Sequence, residues 1–316
     1  MELTTRAQLL KELRAAGSAV SGEVLSQRLS VSRVAVWKHV KALQERGYPL
    51  VASPSGYVLA GGDDFLYPWE FGPREDRVHY FPEIPSTMDE ARRQAFSGCP
   101  ENTVVIAGRQ TAGRGRLSRS WHSGEGGLWF TLVTRPRLPA LSAFRVLFAA
   151  SVCLARLLES ECGVPARVKW PNDILVEGIK VCGMLSEIHA TGDRVEHLNL
   201  GVGLNVNNRP EAEGRRVASL AELAGRTFSR KFLLSAFLDA FLPTIPFVEI
   251  RDVMGPWREF SATLGQDVRV ATGREEVEGE ALDVDEQGGL VVRRPGGDLV
   301  TVTCGDCFHQ PRQKDE

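Results

Sequence analysis

The sequence predicts an α+β chain in three parts: an N-terminal winged helix-turn-helix, a central domain around a mixed sheet, and a C-terminal SH3-like β-barrel. Three observations predict this plan. Residues 5–60 hold three capped segments of helical periodicity followed by a hairpin. From 79 to about 262, strand-like and helix-like segments alternate. From 263 onward, short strands are separated by glycine turns. The 316 residues are enough for two or three domains, and 43% hydrophobic with 25% charged residues is an ordinary globular balance. The expected boundaries are 1–62 for the winged helix, 63–78 for a linker, 79–262 for the central domain and 263–316 for the last.

In the first part, TRAQLLKELRAA (5–16) forms a helix ended by Gly17, and Ser21-Gly22-Glu23 opens a second helix that runs to about Leu29. Ser32 caps a third, in which Val36, Val40 and Leu43 recur at i, i+4 and i+7 as a buried stripe. Gly47 ends it, and PLVASPSGYVLAG folds as a hairpin turning at 53–56. On the third helix Arg33, Trp37, Lys38 and Lys41 avoid the buried stripe. With Ser32 they form a face suited to phosphates and base edges in a major groove. The competing reading is a three-helix interaction module with a solvated basic face. The stretch 61–76, rich in Gly, Pro and acids, reads as a linker or loosely packed connector.

The central domain is expected to contain strands at VHYF, TVVIAG, LWFTLVT, ARVKW, DILVEG, KVCGMLSEIHA and HLNLGVGLNVN, with helices at 88–96 and 141–160. In the last of these strands Leu198, Leu200, Val202, Leu204 and Val206 alternate with Asn199, Gly201, Gly203, Asn205 and Asn207. One face is core; the other is bare and polar, a floor on which a flat ligand can approach the backbone. Residues 226–260 are mostly helical. The strands QDVRVATG, EVEGEALDVD, GGLVVRRP and DLVTVTCG then make the small barrel, and the tail QPRQKDE is expected to be disordered.

Bulk features exclude several classes. Residues 1–60 carry eight basic and four acidic residues, net +4, so the remainder carries −6 of the total −2. That asymmetry points to an anionic partner for the N-terminal part alone. MELTTRAQLLKELR is amphipathic and lacks a signal-peptide core, and the apolar run 146–158 is short for a bilayer and contains Arg156. A cytoplasmic location without a membrane partner is therefore expected. The six cysteines are not evenly spaced, so no disulfide framework is expected. Cys304-Gly-Asp-Cys307, at the end of a strand and near a single His309, lacks the second pair a zinc site needs.

Three elements have the makings of a site. The first is GRQTAGRGRLSRSW (108–121), a connection between two strands. Its arginines supply fixed charge and forked donors and its glycines let backbone N–H groups approach, which suits a phosphate that gains charge during reaction. It is not a P-loop, since GxxxxGK[ST] does not occur. The second is Lys169-Trp170-Pro171-Asn172-Asp173, followed by a turn and Lys180 beside Gly183. Lys180 reads either as an exposed surface lysine or as a second cation for a carboxylate and a phosphate. The third is Ser86-Thr87 ahead of the helix at 88–96, either of them a helix cap or a hydroxyl donor to a neutral polar ligand.

Together, SGEVLSQRLSVSRVAVWKHVKAL…GY, PSTMDEA, QTAGRGRLSRSWHS, VKWPNDILV, IKVCGMLSE and LGVGLN give the chain its resemblance. From about 80 to 310 it resembles the biotin–protein ligases, and with its winged helix it is similar to the bifunctional members that also repress the biotin operon. The resemblance implies a class II synthetase-like catalytic domain, with biotin and ATP as substrates and Mg²⁺ on the triphosphate. It implies formation of biotinyl-5′-AMP and transfer to a lysine of the biotin carboxyl carrier protein of acetyl-CoA carboxylase. It also implies operator DNA as a partner, and a homodimer when the adenylate is bound. By the same resemblance Ser86, Thr87 and Gln110 contact the ureido ring, Arg114, Gly115 and Arg116 close over biotin and phosphate, and Lys180 and Arg116 are the catalytic cations. Trp121 and Asn205 enclose the adenylate over the floor of Gly201 and Gly203, and Asp173 orients Lys180 or a metal.

The sequence departs from the family at two places. Where the family commonly has GRGRRGR, Leu117-Ser118 replace Arg-Gly, which removes a charge and a hinge glycine, so weaker retention of the adenylate is expected. Met88 stands where an asparagine often follows Ser-Thr. Two other functions compete: a small-molecule-sensing winged-helix repressor without ligase activity, which retention of Arg116 and Lys180 argues against, and lipoate ligation, which the GRGR and KWPND motifs fit less well.

Overall fold

The computed structural model describes residues 3–62, 64–211, 216–273 and 275–310. The tail, expected to be disordered, lies outside the described residues beyond Gln310. Contacts divide the chain into two compact units, Met1–His79 with Ser229–Phe232, and Tyr80–Phe228 with Leu233–Glu316.

The first unit contains α1 (Thr5–Ala16), α2 (Gly22–Arg28), α3 (Arg33–Gln44), β1 (Leu50–Ser53) and β2 (Gly56–Leu59). Thr4, Ser21 and Ser32 cap the three helices, each accepting a backbone N–H three residues on. Gly17, at φ 60, ends α1. Leu9, Leu10, Leu13, Leu25, Val36, Val40 and Leu43 form one core. The wing is the β1–β2 hairpin, with Ser53 opposite Gly56. A side chain on Gly56 would meet the Val20 carbonyl at 2.1 Å, so only glycine lets the wing close on the start of the second helix.

Residues 64–77 are not the loose connector expected. Leu66 and Phe71 are buried, Phe65 stacks on Tyr48 at 3.9 Å, and Tyr67 stacks on Trp69 at 4.8 Å. The Gly, Pro and acidic content that reads as linker masked an aromatic series that packs. Within this unit Glu70 accepts from Arg14 (2.9 Å), the Tyr48 hydroxyl (2.7 Å) and Lys231 (3.0 Å).

The second unit holds most of β3 (Val78–Ile84), α4 (Thr87–Phe96), β4 (Thr103–Gln110), β5 (Leu128–Thr134), α5 (Phe144–Leu157), β6 (Ala166–Lys169), β7 (Asp173–Val176), β8 (Ile179–Thr191), β9 (Arg194–Leu204), α6 (Leu220–Ala224), most of α7 (Arg230–Phe241), whose first turn belongs to the first unit, and α8 (Met254–Phe260). The sheet order is β3-β4-β5-β9-β8-β7-β6. From β4 to β6 each described neighbour pair runs antiparallel. α4 packs over β4, β5 and β9, and α5 over β6, β7 and β8. Flanking turns lengthen the α5 segment to Ala140–Cys162, 23 residues, which by length and composition is enough to cross a bilayer. That is longer than the expected apolar run. Its Val146, Phe148, Ala150 and Leu154 are buried in this unit's core.

The C-terminal part is an antiparallel sheet, order β13-β12-β11-β10-β14, in keeping with the SH3-like expectation. Its strands are β10 (Asp267–Ala271), β11 (Glu276–Val284), β12 (Leu290–Arg293), β13 (Leu299–Val302) and β14 (Asp306–His309). β14 was not among the expected strands: four residues are too few to show alternation. Trp170, fully buried, joins this sheet to the central one, donating from Nε1 to the Gly288 carbonyl (3.0 Å) and from its backbone N–H to Thr263 (3.0 Å). His309 contacts the same Thr263 hydroxyl at 3.3 Å, and burial lowers its pKa to about 4, so it is a neutral structural residue.

Candidate active site and nucleic-acid interface

A cavity of about 640 Å³ opens on the α4 side of β8 and β9. All three sequence elements meet there. Ser86, Thr87 and Met88 line it from the start of α4, Gln110 from the end of β4, and Arg114, Gly115, Arg116 and Trp121 from the loop that follows. Asp173, Lys180 and Gly183 line it from β7 and β8, and Gly201, Gly203 and Asn205 from β9 and just beyond.

The Gly-Arg loop is an ordered hairpin. Gln110 bridges Ser123, Arg114 bridges Ser120, and the Trp121 N–H donates to the Gly113 carbonyl at 2.8 Å. A side chain on Gly113 would lie 2.4 Å from the Trp121 carbonyl, which explains the glycine. The tip, Arg116–Ser118, is a tight turn with Leu117 at φ 54.

One end of the cavity is neutral and hydrogen-bonded. Thr131, buried on β5, donates to Thr87 (2.9 Å), whose hydroxyl and backbone N–H both reach Gln110 Oε1 (3.0 and 2.7 Å). Gln110 Nε2 donates to Ser123 at 2.8 Å, which leaves its second N–H for a ligand. Ser86 is the cap of α4, settling the choice between the two hydroxyls. Met88 fills the space that an alkyl group on Gly201 would need, its methyl 2.7 Å from such a Cβ.

The other end is cationic. Lys180 Nζ lies 2.6 Å from Asp173 Oδ1, both side chains mostly buried. This settles the surface-lysine alternative: register on β7 and β8 turns Lys180 inward. Arg116 donates to the Gly305 carbonyl (3.1 Å) and to Asn172 Oδ1 (3.4 Å). Burial pulls the Arg116 guanidinium below its ordinary pKa, and Asp306 and then Asp173 pull it back. Arg114 pairs with Asp89 at 2.5 Å. Between the two ends, the Trp121 indole lies flat on the floor. A Cβ on Gly203 would stand 2.4 Å from its Nε1 and one on Gly183 3.0 Å from its ring, while Lys180 Nζ sits 5.0 Å from the ring centre.

The polar face of β9 is less bare than expected. Gly201 and Gly203 face the cavity with Met88 and Trp121 seated on them, and Asn199 is buried beneath α4, which covers that end of the strand. Asn205 is held by Asn208 (3.1 Å), and Asn207 leaves the cavity to bond the Phe228 carbonyl. Thr131, Asn172 and Asp306 also line the cavity, though the sequence did not single them out. Asn172 lies inside the quoted KWPND stretch. Thr131 carried only strand alternation as a signal, and Asp306 lies inside the Cys304–Cys307 stretch, which was weighed only for its cysteines.

On the winged helix, Arg33, Trp37, Lys38 and Lys41 are exposed along one face of α3, with Ser32 at its start. Trp37 is 51% exposed, and Lys41 lies 5.4 Å over its ring. Arg33 pairs with Glu23 at 3.8 Å, with both side chains largely in solvent, so the face as a whole is accessible to a polyanion.

Residues 80–205 match the biotin/lipoate A/B protein ligase family model, 5–58 a helix-turn-helix domain, and 263–310 the biotin protein ligase C-terminal domain. The chain is 34% identical to the bifunctional ligase/repressor BirA of Bacillus subtilis (strain 168), over 94% of this chain and 96% of that protein. It is 33% identical to the biotin–[acetyl-CoA-carboxylase] ligase of Paracoccus denitrificans, over 67% of this chain and 92% of that one. Among solved structures it is similar to the Aquifex aeolicus biotin protein ligase in complex with biotin and ATP, with TM-score 0.63, 27% identity, and coverage of 75% of this chain and 99% of that chain.

Proposed function

The chain belongs to the biotin protein ligase family, and from that premise we propose an ATP-dependent biotin–protein ligase that is also a biotinyl-AMP-dependent repressor of biotin genes. The observation that carries the ligase reading is the convergence of Arg116 and Lys180 with a neutral hydroxyl–amide cluster in one cavity.

In the first step a biotin carboxylate oxygen attacks the α-phosphorus of ATP. The new O–P bond forms as the bond to the β-phosphate oxygen breaks, and pyrophosphate leaves. Two anions brought to about 4 Å repel by about 4 kcal/mol at an effective dielectric near 20, so cations have to stand between them. Lys180, held by Asp173 at 2.6 Å, and Arg116, held by Asn172 and Gly305, would do this. Ser86, Thr87 and Gln110 offer donors and acceptors to the uncharged ureido ring. Trp121, seated on Gly203, and Asn205 line the part of the cavity that would take the adenylate, while Gly201 makes room for Met88. In the second step the ε-amine of a lysine on the carboxyl carrier protein attacks the acyl carbon, and AMP leaves as the C–O bond breaks. No enzyme nucleophile is required. Cys182, next to Gly183, is fully buried, and burial raises its pKa far above neutrality.

Mg²⁺ would enter with the triphosphate, supplying charge neutralisation there. Asp173 and Asn172 offer oxygens of the right kind, but the described residues contain no cluster of three metal-binding side chains. Phosphates and water would therefore fill most of the shell, as is usual for this ion.

For repression, the exposed face of α3 contacts operator DNA, and the bound adenylate favours a homodimer that presents two winged helices to two half-sites. The functional division is 1–62 for DNA binding, with 64–77 packed against it in the same unit, 79–262 for catalysis and 263–316 for the C-terminal domain. The six cysteines are free thiols.

The test is incubation with ATP, biotin and a carrier domain, repeated with Lys180→Ala and Arg116→Ala. The wild type biotinylates the carrier, and each variant loses about 10²–10³-fold in rate, as expected for removal of one preorganised charge-stabilising group. Absence of biotinylation by the wild type would leave the sensor-repressor reading instead.

A further inference from the structure

The Cys304-Gly305-Asp306-Cys307 segment supplies no reacting group to the chemistry above, yet it touches the catalytic loop at two points. Gly305 stands at φ 149, and a side chain on it would lie 2.8 Å from the Ala271 carbonyl and 2.9 Å from Val270. The turn is thus pressed flat against β10. Asp306 and Cys307 then pair with Ala271 and Val270 across the β10–β14 ladder, and the Cys307 side chain is buried. From this fixed base the Gly305 carbonyl accepts a hydrogen bond from Arg116 at 3.1 Å, and the Asp306 carboxylate pairs with Arg119. Arg116 and Arg119 are the two ends of the hairpin tip, joined by a hydrogen bond from the Arg119 N–H to the Arg116 carbonyl at 3.2 Å. One rigid turn therefore holds both ends of the loop that carries a catalytic cation. Asp306 is well buried, its side chain 14% exposed against 44% for Arg119. It is also the opposite charge that acts most strongly on Arg116.

We infer that the 304–307 turn is a latch for the catalytic loop, and that Asp306 is a positioning residue which sets where Arg116 and Arg119 stand. This rests on the ligase reading, because it assigns the C-terminal sheet a share in placing Arg116 for adenylation. A guanidinium has five N–H donors, and Arg116 spends only two on Asn172 and Gly305. The latch thus orients the group while leaving donors for phosphate oxygens. Leu117, between the two latched arginines, has a left-handed backbone that no glycine relieves, so external anchoring counts for more in this loop.

The experiment uses the full chain and three variants: Asp306→Asn, Arg119→Asp, and the charge swap Arg119→Asp with Asp306→Arg. Two quantities are read: the rate of tryptic cleavage after Arg116 without ligands, and kcat/KM for ATP in biotin-dependent ATP–pyrophosphate exchange. A partly exposed charge pair predicts that each single variant raises the first and lowers the second by about 3–10-fold. The swap restores most of both, and added salt speeds cleavage of the wild type more than of Asp306→Asn. Asp306→Asn tests the charge alone with shape retained, and its melting temperature reports whether it folds. Changes below twofold in Asp306→Asn overturn the latch, as does a swap no better than the worse single variant. A gain in kcat/KM also overturns it, since the turn would then be restraining the loop. If the wild type catalyses no exchange, the ligase reading fails, while the proteolysis arm still decides the latch.

Discussion

Glu70 is a carboxylate whose meaning depends wholly on its neighbours. In the sequence it sits in an acidic, Gly- and Pro-rich stretch and reads as solvated. In the folded chain its side chain is 1% exposed and accepts from Arg14, Tyr48 and Lys231. Burial alone would raise its pKa; the three hydrogen bonds outweigh that and hold it below the usual carboxylate value. A group lowered in this way contributes stability above its unfolded pKa, near 4.5, and loses it as pH falls through the folded value. Glu70→Ala should cost the first unit about 1–3 kcal/mol, because it removes the shared buried acceptor of the Tyr48 hydroxyl and of two partly exposed cations, Arg14 and Lys231. Urea unfolding at pH 7 and at low pH measures this, and the difference from wild type should shrink in acid. A cost under about 1 kcal/mol at pH 7 would show that Arg14 and Lys231 find water instead. Lys180 carries the same lesson: the sequence leaves it between surface and site, and the register of β7 and β8 decides.

At the scale of elements, the Gly-Arg loop was legible as a connection between strands, because its flanks alternate and the loop itself does not. Its hairpin geometry was not legible, since isolated bridges such as Arg114 to Ser120 have no periodic signature. The replacement of Arg-Gly by Leu117-Ser118 falls on the tip, where Leu117 holds φ 54 and is 67% exposed. A left-handed non-glycine residue costs about 1–2 kcal/mol, and the tip has one arginine fewer to bind phosphate. Restoring GRGRRGR with Leu117→Arg and Ser118→Gly should slow release of biotinyl-AMP. Stopped-flow release from the native chain that proves no faster than from this variant would dispose of the idea. The missed strand β14 and the misread connector have different causes: four residues are too few to show alternation, whereas Phe65, Tyr67, Trp69 and Phe71 do alternate but stand among glycine, proline and acids that read as a linker.

For the whole molecule, the proposed coupling of ligase to repressor predicts separable losses. Deleting residues 1–60 would strip Glu70 of Arg14 and Tyr48 and expose the aromatic stack, so substitutions on the α3 face of the intact chain are the cleaner probe. Lys38→Ala with Lys41→Ala should weaken operator binding in gel shifts and lower the salt slope by about one for each phosphate no longer neutralised, with carrier biotinylation unchanged. If the salt slope stays as it was, the α3 face is not the DNA surface. Sedimentation with and without biotinyl-AMP checks the dimer in the same samples.

The sequence by itself determined the three-part order, nearly all the elements, and the residue types that gather at the site. Helical and strand periodicity, capping residues and the family's short motifs are local, and local signals survive in one dimension. Only the tertiary structure decided that Lys180 faces Asp173, that Asn199 is covered by α4 and that Trp121 lies against Gly203. It alone brought Gly305 and Asp306, nearly two hundred residues away in sequence, beside Arg116 and Arg119. Those facts depend on strand register and on the packing of one sheet against another. Neither leaves a mark on the spacing of residues along the chain.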